Sequence, residues 1–423
     1  MRLPLLQPGR LHHRPDHHHR RWPGALAPVT TPRNLRFLGD PGIDPEEFPI
    51  TRGRIYFDHA TFGPPPRSHV QTSNQLLARM SAEGLPDLFS LSQEGADRVR
   101  SSAARLFKCP AEQMTFIHST SHGQNLVAEG LRWREGDEVV VYELDHPSGV
   151  LPWLNLQDQG VRVRKVEDRG RQGFEAADVE ALLGPRTRVV ALSLVNFAHG
   201  GRAPIEAVAE LCRAREIWLV VDAVQAAGAL RIDAATLGAD VVAAHGYKWL
   251  LSGFGVGLCH LSERALRELK VGQVGWKSIR DPFNVDRVLQ FRLDWAPGGK
   301  RFEPSFPPLP QLFGMGAVLD LFLDVGPEKI ETRVLALAGR LSAGMQENGY
   351  QVVGAQAASA RSPIVSVVAD DRFREACTRL NLVCAVREGR ARLSPHFYNT
   401  EEEVDRLLSA LGTPAPQRGA RAS

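Results

Sequence analysis

Long apolar runs, paired cysteines and an excess of charge of either sign are all missing from this chain of 423 residues. No run approaches the ~20 consecutive apolar residues that cross a bilayer as a helix, so no membrane partner is expected. The five cysteines, at 109, 212, 259, 377 and 384, are scattered, with no C-x-x-C pair. That spacing fits neither a disulfide framework nor a zinc site, and it points to a reducing cytoplasm. A net charge of +3 is small for this length, so a nucleic-acid partner is not expected either. There is no internal repeat. The apolar and charged fractions are those of an ordinary globular protein.

Acids are also scarce at the start, where residues 1–34 contain only Asp16 beside many Arg, His and Pro. Histidines at 12, 13, 17, 18 and 19 have no fixed geometry, so they read as a solvated tail and no metal site is expected. The apolar patch Leu3–Leu6 is too short for a signal-peptide core, and Ser is lacking for a transit peptide. Residues 1–34 are therefore expected to be a disordered basic extension, with residues 413–423 a loose tail.

Between these ends, valine-rich runs alternate with helical periodicity. EVVVY, VRVRKVE, TRVVALSLVN, IWLVVD and VVAAH read as strands separated by helices. That alternation argues for an α/β fold with a large, mostly parallel, doubly wound sheet. Residues 35–300 are assigned to it, with an entry segment at 35–66. Residues 301–412 read as a linker helix and a small α+β domain.

The centre of the pattern is the stretch 217–257. One buried strand ends on Asp222, and a second ends just before His245, Gly246, Tyr247 and Lys248. In open α/β sheets ligands sit outside the carboxyl ends of the strands. A carboxylate and a lysine there suit pyridoxal phosphate: the lysine forms a Schiff base, and the aspartate keeps the pyridine nitrogen protonated. Alone, the pair could equally be a helix cap and a solvated amine. Ser119, Thr120 and Ser121 precede a helix, where exposed N–H groups favour a phosphate, with a plain capping box as the alternative. His146 follows a strand, where it could stack on a flat ring.

Taken together, VVDAVQAAG, HGYKWLLSGFGVG, ELDHPSGVLPW and the STS turn resemble the class V aminotransferase family of pyridoxal-phosphate enzymes. The resemblance runs from about 54 to 411 and implies a fold type I architecture, a homodimer and pyridoxal 5'-phosphate as cofactor. It makes Lys248 the Schiff-base lysine, Asp222 the partner of the pyridine nitrogen, Gln225 a contact of the ring hydroxyl and His146 the stacking ring. Thr120, Ser121, His245 and Tyr247 fall at phosphate-binding positions, and Asn196 near a ring-hydroxyl and substrate contact. Arg392 takes the position that grips the substrate carboxylate, with Arg387 second; a planar fork suits that task. His59 lies near the entrance, where a substrate contact is expected.

The chain departs from its relatives in two places. Only EGRA separates Arg387 from Arg392, where cysteine desulfurases carry a loop with a nucleophilic Cys, so that chemistry is not expected. RFEPSFPP places Phe306 where relatives use a Thr on the neighbouring subunit's phosphate. The substrate is expected to be an amino acid or amine with Lys248 as the α-proton base, and transamination is the leading outcome. Epimerisation and β-eliminating C–S lysis are alternatives, and a degenerate binding protein is the reading from another class.

Overall fold

The computed structural model describes residues 46–284, 288–354 and 360–412; the 1–34 extension and the 413–423 tail lie outside the described residues. Strand β1 (Ile55–Tyr56) leads into α1 (Arg67–Glu83) and α2 (Leu88–Phe107). Gly84 and Pro86 lie between these helices, where a ring without an N–H stops the helical ladder. There follow β2 (Met114–Ile117), α3 (Thr120–Gly130), β3 (Glu138–Tyr142), α4 (Pro147–Leu154), β4 (Arg162–Val166), α5 (Ala176–Glu180) and β5 (Thr187–Ser193). Next come α6 (Ile205–Arg213), β6 (Trp218–Asp222), α7 (Ala234–Leu237), β7 (Val241–His245), β8 (Gly257–Leu261) and α8 (Glu263–Glu268).

Seven strands form the main sheet in the order β2-β8-β7-β6-β5-β3-β4. The expected parallel architecture is present, because every strand but β8 runs the same way. Strands β6, β7 and β8 are buried at every residue, which is why they read as continuous apolar runs without alternation. Leu126, Val127 and Trp153 from α3 and α4 pack on Val139, Val141, Ala191, Val220 and Ala243 of the sheet.

One strand was not expected from the sequence. Gly257–Leu261 inserts antiparallel between β2 and β7, pairing Val241 with Leu261 and His245 with Gly257. GLCHL has none of the β-branched residues that mark the other strands of this sheet, so only pairing on both edges makes it a strand. As a result, residues 246–256 form a hairpin connection folded back over the strand ends, and that connection carries Lys248.

Helices α9 (Leu309–Val325) and α10 (Pro327–Glu347) then lead to β9 (Val352–Val353), β10 (Val365–Val368), α11 (Asp371–Arg379), β11 (Leu382–Val383), β12 (Ala385–Arg387), β13 (Arg390–Leu393) and α12 (Glu401–Leu411). The four-stranded sheet β12-β13-β10-β9 shares a second core with α10, α11 and α12 through Leu337, Leu341, Val367, Phe373, Leu393 and Leu407. The entry segment, expected with the large sheet, sits elsewhere: β1 pairs in parallel with β11, Ile55 opposite Leu382, and Ile55 and Phe57 lie in this second core. A two-residue strand carries no periodicity, so only the long-range pairing places it.

A buried ion pair ties α2 to the sheet and to residue 303. Arg100 donates to Glu303 through Nη1 at 2.8 Å and Nη2 at 3.1 Å, and also to the Met114 carbonyl at 2.7 Å. Glu303 in turn accepts the Phe116 N–H at 3.1 Å. Removing one partner strands a buried charge. Arg100→Met is expected to lower unfolding stability by about 3–5 kcal/mol, as measured by urea denaturation; a change below about 1 kcal/mol would contradict this account.

Candidate active site

The site lies at the carboxyl ends of β3, β5, β6 and β7. Asp222 is 2% exposed; its Oδ1 accepts the Val224 N–H at 2.8 Å, while Oδ2 is sealed from solvent without a partner among the described residues. Burial drives its pKa upward, with Asp145 adding to the effect and Lys248 opposing it. Lys248 is 7% exposed, and burial pushes its amine below the ordinary lysine value while Asp222 pulls it back up. A buried carboxylate oxygen without a donor is costly, and a protonated ring nitrogen is the kind of donor it lacks. The residues present therefore fit pyridoxal phosphate, which would supply an electron sink above Asp222.

Lys248 is held by a tight loop. Gly246 N–H donates to Val256 O, Leu251 N–H to Lys248 O and Ser252 N–H to Gly246 O, each between 2.9 and 3.0 Å. Leu251 takes a left-handed φ of 47°, a conformation costing a branched residue roughly 1–2 kcal/mol. The FGPPP turn braces the loop from outside. Gly63 N–H donates to Tyr247 O at 2.8 Å, and a Cβ at Gly63 would stand 1.9 Å from the Lys248 carbonyl oxygen.

At the start of α3, where a phosphate site is expected, the Ser119 hydroxyl is the helix cap and accepts the His122 N–H at 3.1 Å. This leaves Thr120 and Ser121, at the first turn of α3, as the hydroxyls available there. His245 closes β7, and burial lowers its pKa to about 4. Its Nε2 is buried without a partner among the described residues. Tyr247 stacks on Phe254 at 4.9 Å, and its ring lies 5.5 Å from the Lys248 amine. His118 and His122, stacked at 5.2 Å beside the cradle, were not picked out from sequence.

His146 opens α4, where its Nδ1 meets the Ser148 hydroxyl at 2.7 Å and its ring meets Phe197 edge-on at 5.0 Å. Burial and the nearby Lys248, Arg387 and Arg392 lower its pKa, keeping the imidazole neutral. Its position is fixed by Asp145, a residue the sequence reading missed. Asp145 accepts the N–H groups of His146 and Ser193 at 2.8 and 2.9 Å, and the Ser193 hydroxyl as well. Ser193 is paired with Asp222 across β5 and β6, so one chain of contacts sets the stacking ring relative to the carboxylate. Gln225 donates to Ala60 O at 3.0 Å and accepts from Trp249 Nε1 at 2.8 Å, which fixes its amide and leaves one N–H for a ring hydroxyl. Asn196 first serves the backbone: Nδ2 donates to Leu144 O, and Oδ1 accepts from Ala198 and His199. One N–H remains to it for a ligand.

Arg392 arrives from β13. Nη1 donates to Phe197 O at 2.7 Å, Nη2 to the Thr61 hydroxyl, and Nη2 also lies 3.5 Å from Asp58 Oδ1; Nε is buried without a partner. Asp58 and Thr61 reach it because the chain after β1 bridges Asp58 to Ser394. His59 does not take the expected substrate role. It is 0% exposed, with one ring nitrogen on Ser394 O at 2.8 Å and the other on the Tyr398 hydroxyl at 2.6 Å. Both of its polar atoms are satisfied inside the core. Phe306 packs edge-on against Trp276 at 5.1 Å and has no polar atom for a phosphate.

Gly63→Ala is expected to displace the Lys248 loop and reduce turnover by about 100-fold, since a shift of about 1 Å in a catalytic group has that effect. The variant should also take up added pyridoxal phosphate poorly, read from the visible absorption of the reconstituted protein. Normal uptake and turnover would show that the close approach does not position Lys248.

The family profile described as Aminotransferase class-V matches residues 55–407. A probable cysteine desulfurase of Methanothermobacter thermautotrophicus is 26% identical, covering 86% of this chain and 96% of that protein. One from Pyrococcus abyssi is 24% identical, over 86% of this chain and 95% of the relative. Among solved structures, the complex of the cystine C–S lyase C-DES with its reaction product cysteine persulfide superposes with a TM-score of 0.79 at 25% identity, covering 86% of this chain and 98% of that one. The apo cysteine desulfurase from Thermococcus onnurineus NA1 gives 0.74 at 22%, covering 86% and 95%. With this match across the sheet, the lysine loop and the arginine strand, the chain belongs to the class V aminotransferase family of fold type I enzymes, and pyridoxal 5'-phosphate is its cofactor.

Proposed function

We propose that this protein is a β-eliminating C–S lyase acting on a sulfur-containing amino acid, in place of the aminotransferase expected from the sequence. The observation that carries this reading is the hairpin joining β12 to β13. Arg387 pairs directly with Arg390, so the connection is only Glu388 and Gly389, both at positive φ (50° and 74°). Two residues at positive φ make the tightest class of β-hairpin turn and leave no loop to carry a nucleophilic thiol toward Lys248. The similar proteins include a cystine C–S lyase and probable cysteine desulfurases, which supports this reading. Among the described residues the two-residue β12–β13 turn carries no thiol to accept the product, so in this reading the sulfur departs with the leaving group. Cys384 does not substitute: its hydrogen bond with Cys377, together with burial, drives its pKa far above the ordinary thiol value.

In this reading Arg392 grips the substrate α-carboxylate and turns the Cα–H bond toward Lys248. The Lys248 amine, deprotonated more readily because it is buried, accepts that proton. His146 covers the reacting face and excludes water from it. Bound pyridoxal phosphate supplies the sink for the electrons left at Cα. The Cβ–S bond then breaks, the sulfur leaves with its electron pair, and Lys248 can return the proton to it. Water releases the remaining fragment as pyruvate and ammonia. We also infer a homodimer, supported by the exposed apolar side chains Phe89, Leu289, Phe291 and Leu293.

With L-cystine as probe, the reconstituted protein should release pyruvate and a persulfide, and Lys248→Ala should reduce that release by roughly 10²–10⁴-fold. A keto acid retaining its sulfur, followed by mass, would establish transamination instead. An inverted α-centre with no pyruvate would establish epimerisation.

A further inference from the structure

No short motif joins Cys377 to Cys384 in the chain, yet their side chains meet at the edge of the second core. Cys377 lies on α11 beside Phe373 and Ala376, spaced so that the three share one face of the helix. Phe373 and Ala376 are buried there, while Cys377 is half-buried at the margin. Cys384, also half-buried, occupies the single position between β11 and β12. The two thiols share a hydrogen bond.

The sulfurs differ in reactivity. Their hydrogen bond holds the Cys377 thiol below its ordinary value and, with burial, drives Cys384 far above it. Burial pushes Cys109, Cys212 and Cys259 up as well, so Cys377 is the one thiol of the five favoured as a thiolate. A thiolate beside a thiol is the arrangement that disulfide exchange requires, since one attacks and the other resolves.

Cys384 also sits where the arginine site is anchored. Before it, Val383 of β11 pairs with Tyr56 of β1, and the chain runs on from there to Asp58 and Thr61. After it, Ala385 of β12 pairs with Arg392. The charges of Asp58 and Arg392 are both felt at Cys384. On the other side of the pair, α11 is fixed by the buried Phe373 and by the Asp370 cap, which accepts the Phe373 N–H at 2.8 Å. Strand β12 has three residues and stands at the edge of its sheet, so it gives way at lower cost than α11.

We propose that Cys377 and Cys384 form a reversible disulfide by exchange with small disulfides, and that closing it shifts the strand pair that presents Arg392. The Cys377 thiolate attacks one sulfur of the small disulfide, whose S–S bond breaks. One half leaves with the electron pair and takes up the proton lost by Cys377. Cys384 then attacks the mixed disulfide at the Cys377 sulfur, its proton passing to the second half as that leaves. Two protein thiols are oxidised, and the small disulfide is reduced to two thiols. Covalent closure draws the sulfurs nearer than hydrogen-bonding range, which pulls Cys384 toward α11 and, with it, the residue paired with Arg392. The effect on turnover rests on the assignment of Arg392 to the substrate carboxylate; the disulfide itself does not.

The cofactor-loaded protein is equilibrated against graded ratios of oxidised to reduced glutathione, trapped with N-ethylmaleimide, and read by intact mass and peptide mapping. The oxidised product should be lighter by two hydrogens, carry a Cys377–Cys384 link and revert fully with dithiothreitol. Cys384→Ser should stop with one glutathione on Cys377, while Cys377→Ser should leave Cys384 at least about 10-fold less modified. Amide exchange across residues 56–61 and 385–392 should differ about 10-fold between the two states, a readout that needs no turnover. In turnover of S-methyl-L-cysteine, kcat/KM of the oxidised protein should fall about 10- to 100-fold, mostly through KM, the size of one charged hydrogen-bonded contact. Cys377→Ser should keep its activity at every ratio. Absence of the link at every ratio overturns the proposal. A link with identical amide exchange, or an equal loss of activity in Cys377→Ser, overturns the coupling to Arg392. Failure of the lyase reading would appear separately, as absence of pyruvate in both states with the link and the exchange difference intact.

Discussion

A carboxylate oxygen buried at the end of a parallel strand, with no donor in reach, is unfavourable unless something else completes it. Asp222 is held in that state by the sheet itself. Its strand is paired on both sides and buried at every residue, so the side chain can neither turn to solvent nor relax toward another donor. A protonated ring nitrogen would resolve the deficit, and the neighbouring groups are tied to Asp222 through the sheet. Ser193 pairs with Asp222 and holds Asp145, which holds the His146 backbone. The carboxylate of Asp222 and the imidazole of His146 are thereby set relative to one another by main-chain register and two short hydrogen-bond links.

The second constraint is where Lys248 can sit. Because β8 runs antiparallel between β7 and β2, the connection after β7 must reverse immediately over the strand ends. The reversal brings Lys248 back above the sheet, and the FGPPP turn, anchored through Gly63, closes over the loop from the other side. That turn follows β1, whose pairing is with β11 in the second unit. The same segment therefore braces the lysine loop and delivers Asp58 and Thr61 to Arg392. Lys248 and Arg392 are thus linked through one short stretch of chain.

Arg392 and Phe306 are each set by side chains from other parts of the chain. The arginine has its charge balanced by Asp58, and its strand is joined to β12 by a two-residue turn. Phe306 joins the aromatic contacts of Trp276 and Phe283.

The sequence by itself determined the parallel α/β sheet, the strand ends bearing Asp222 and Lys248, the helix-start cradle and the arginine strand. These are carried by local signals: apolar runs of strand length, caps, and motifs at fixed spacing, all of which survive in one dimension. It did not determine β8, the pairing of β1 with β11, the burial of His59 or the roles of Asp145 and Asp58. A two-residue strand such as β1 has no readable period, GLCHL lacks β-branched residues, and each is identified as a strand by its pairing. A histidine next to a glycine-rich turn is the same letter whether it faces a substrate or a tyrosine in the core. His59 is decided by Ser394 and Tyr398, Asp145 by Ser193, and Asp58 by Arg392, and only folding brings those partners within hydrogen-bond or ion-pair distance.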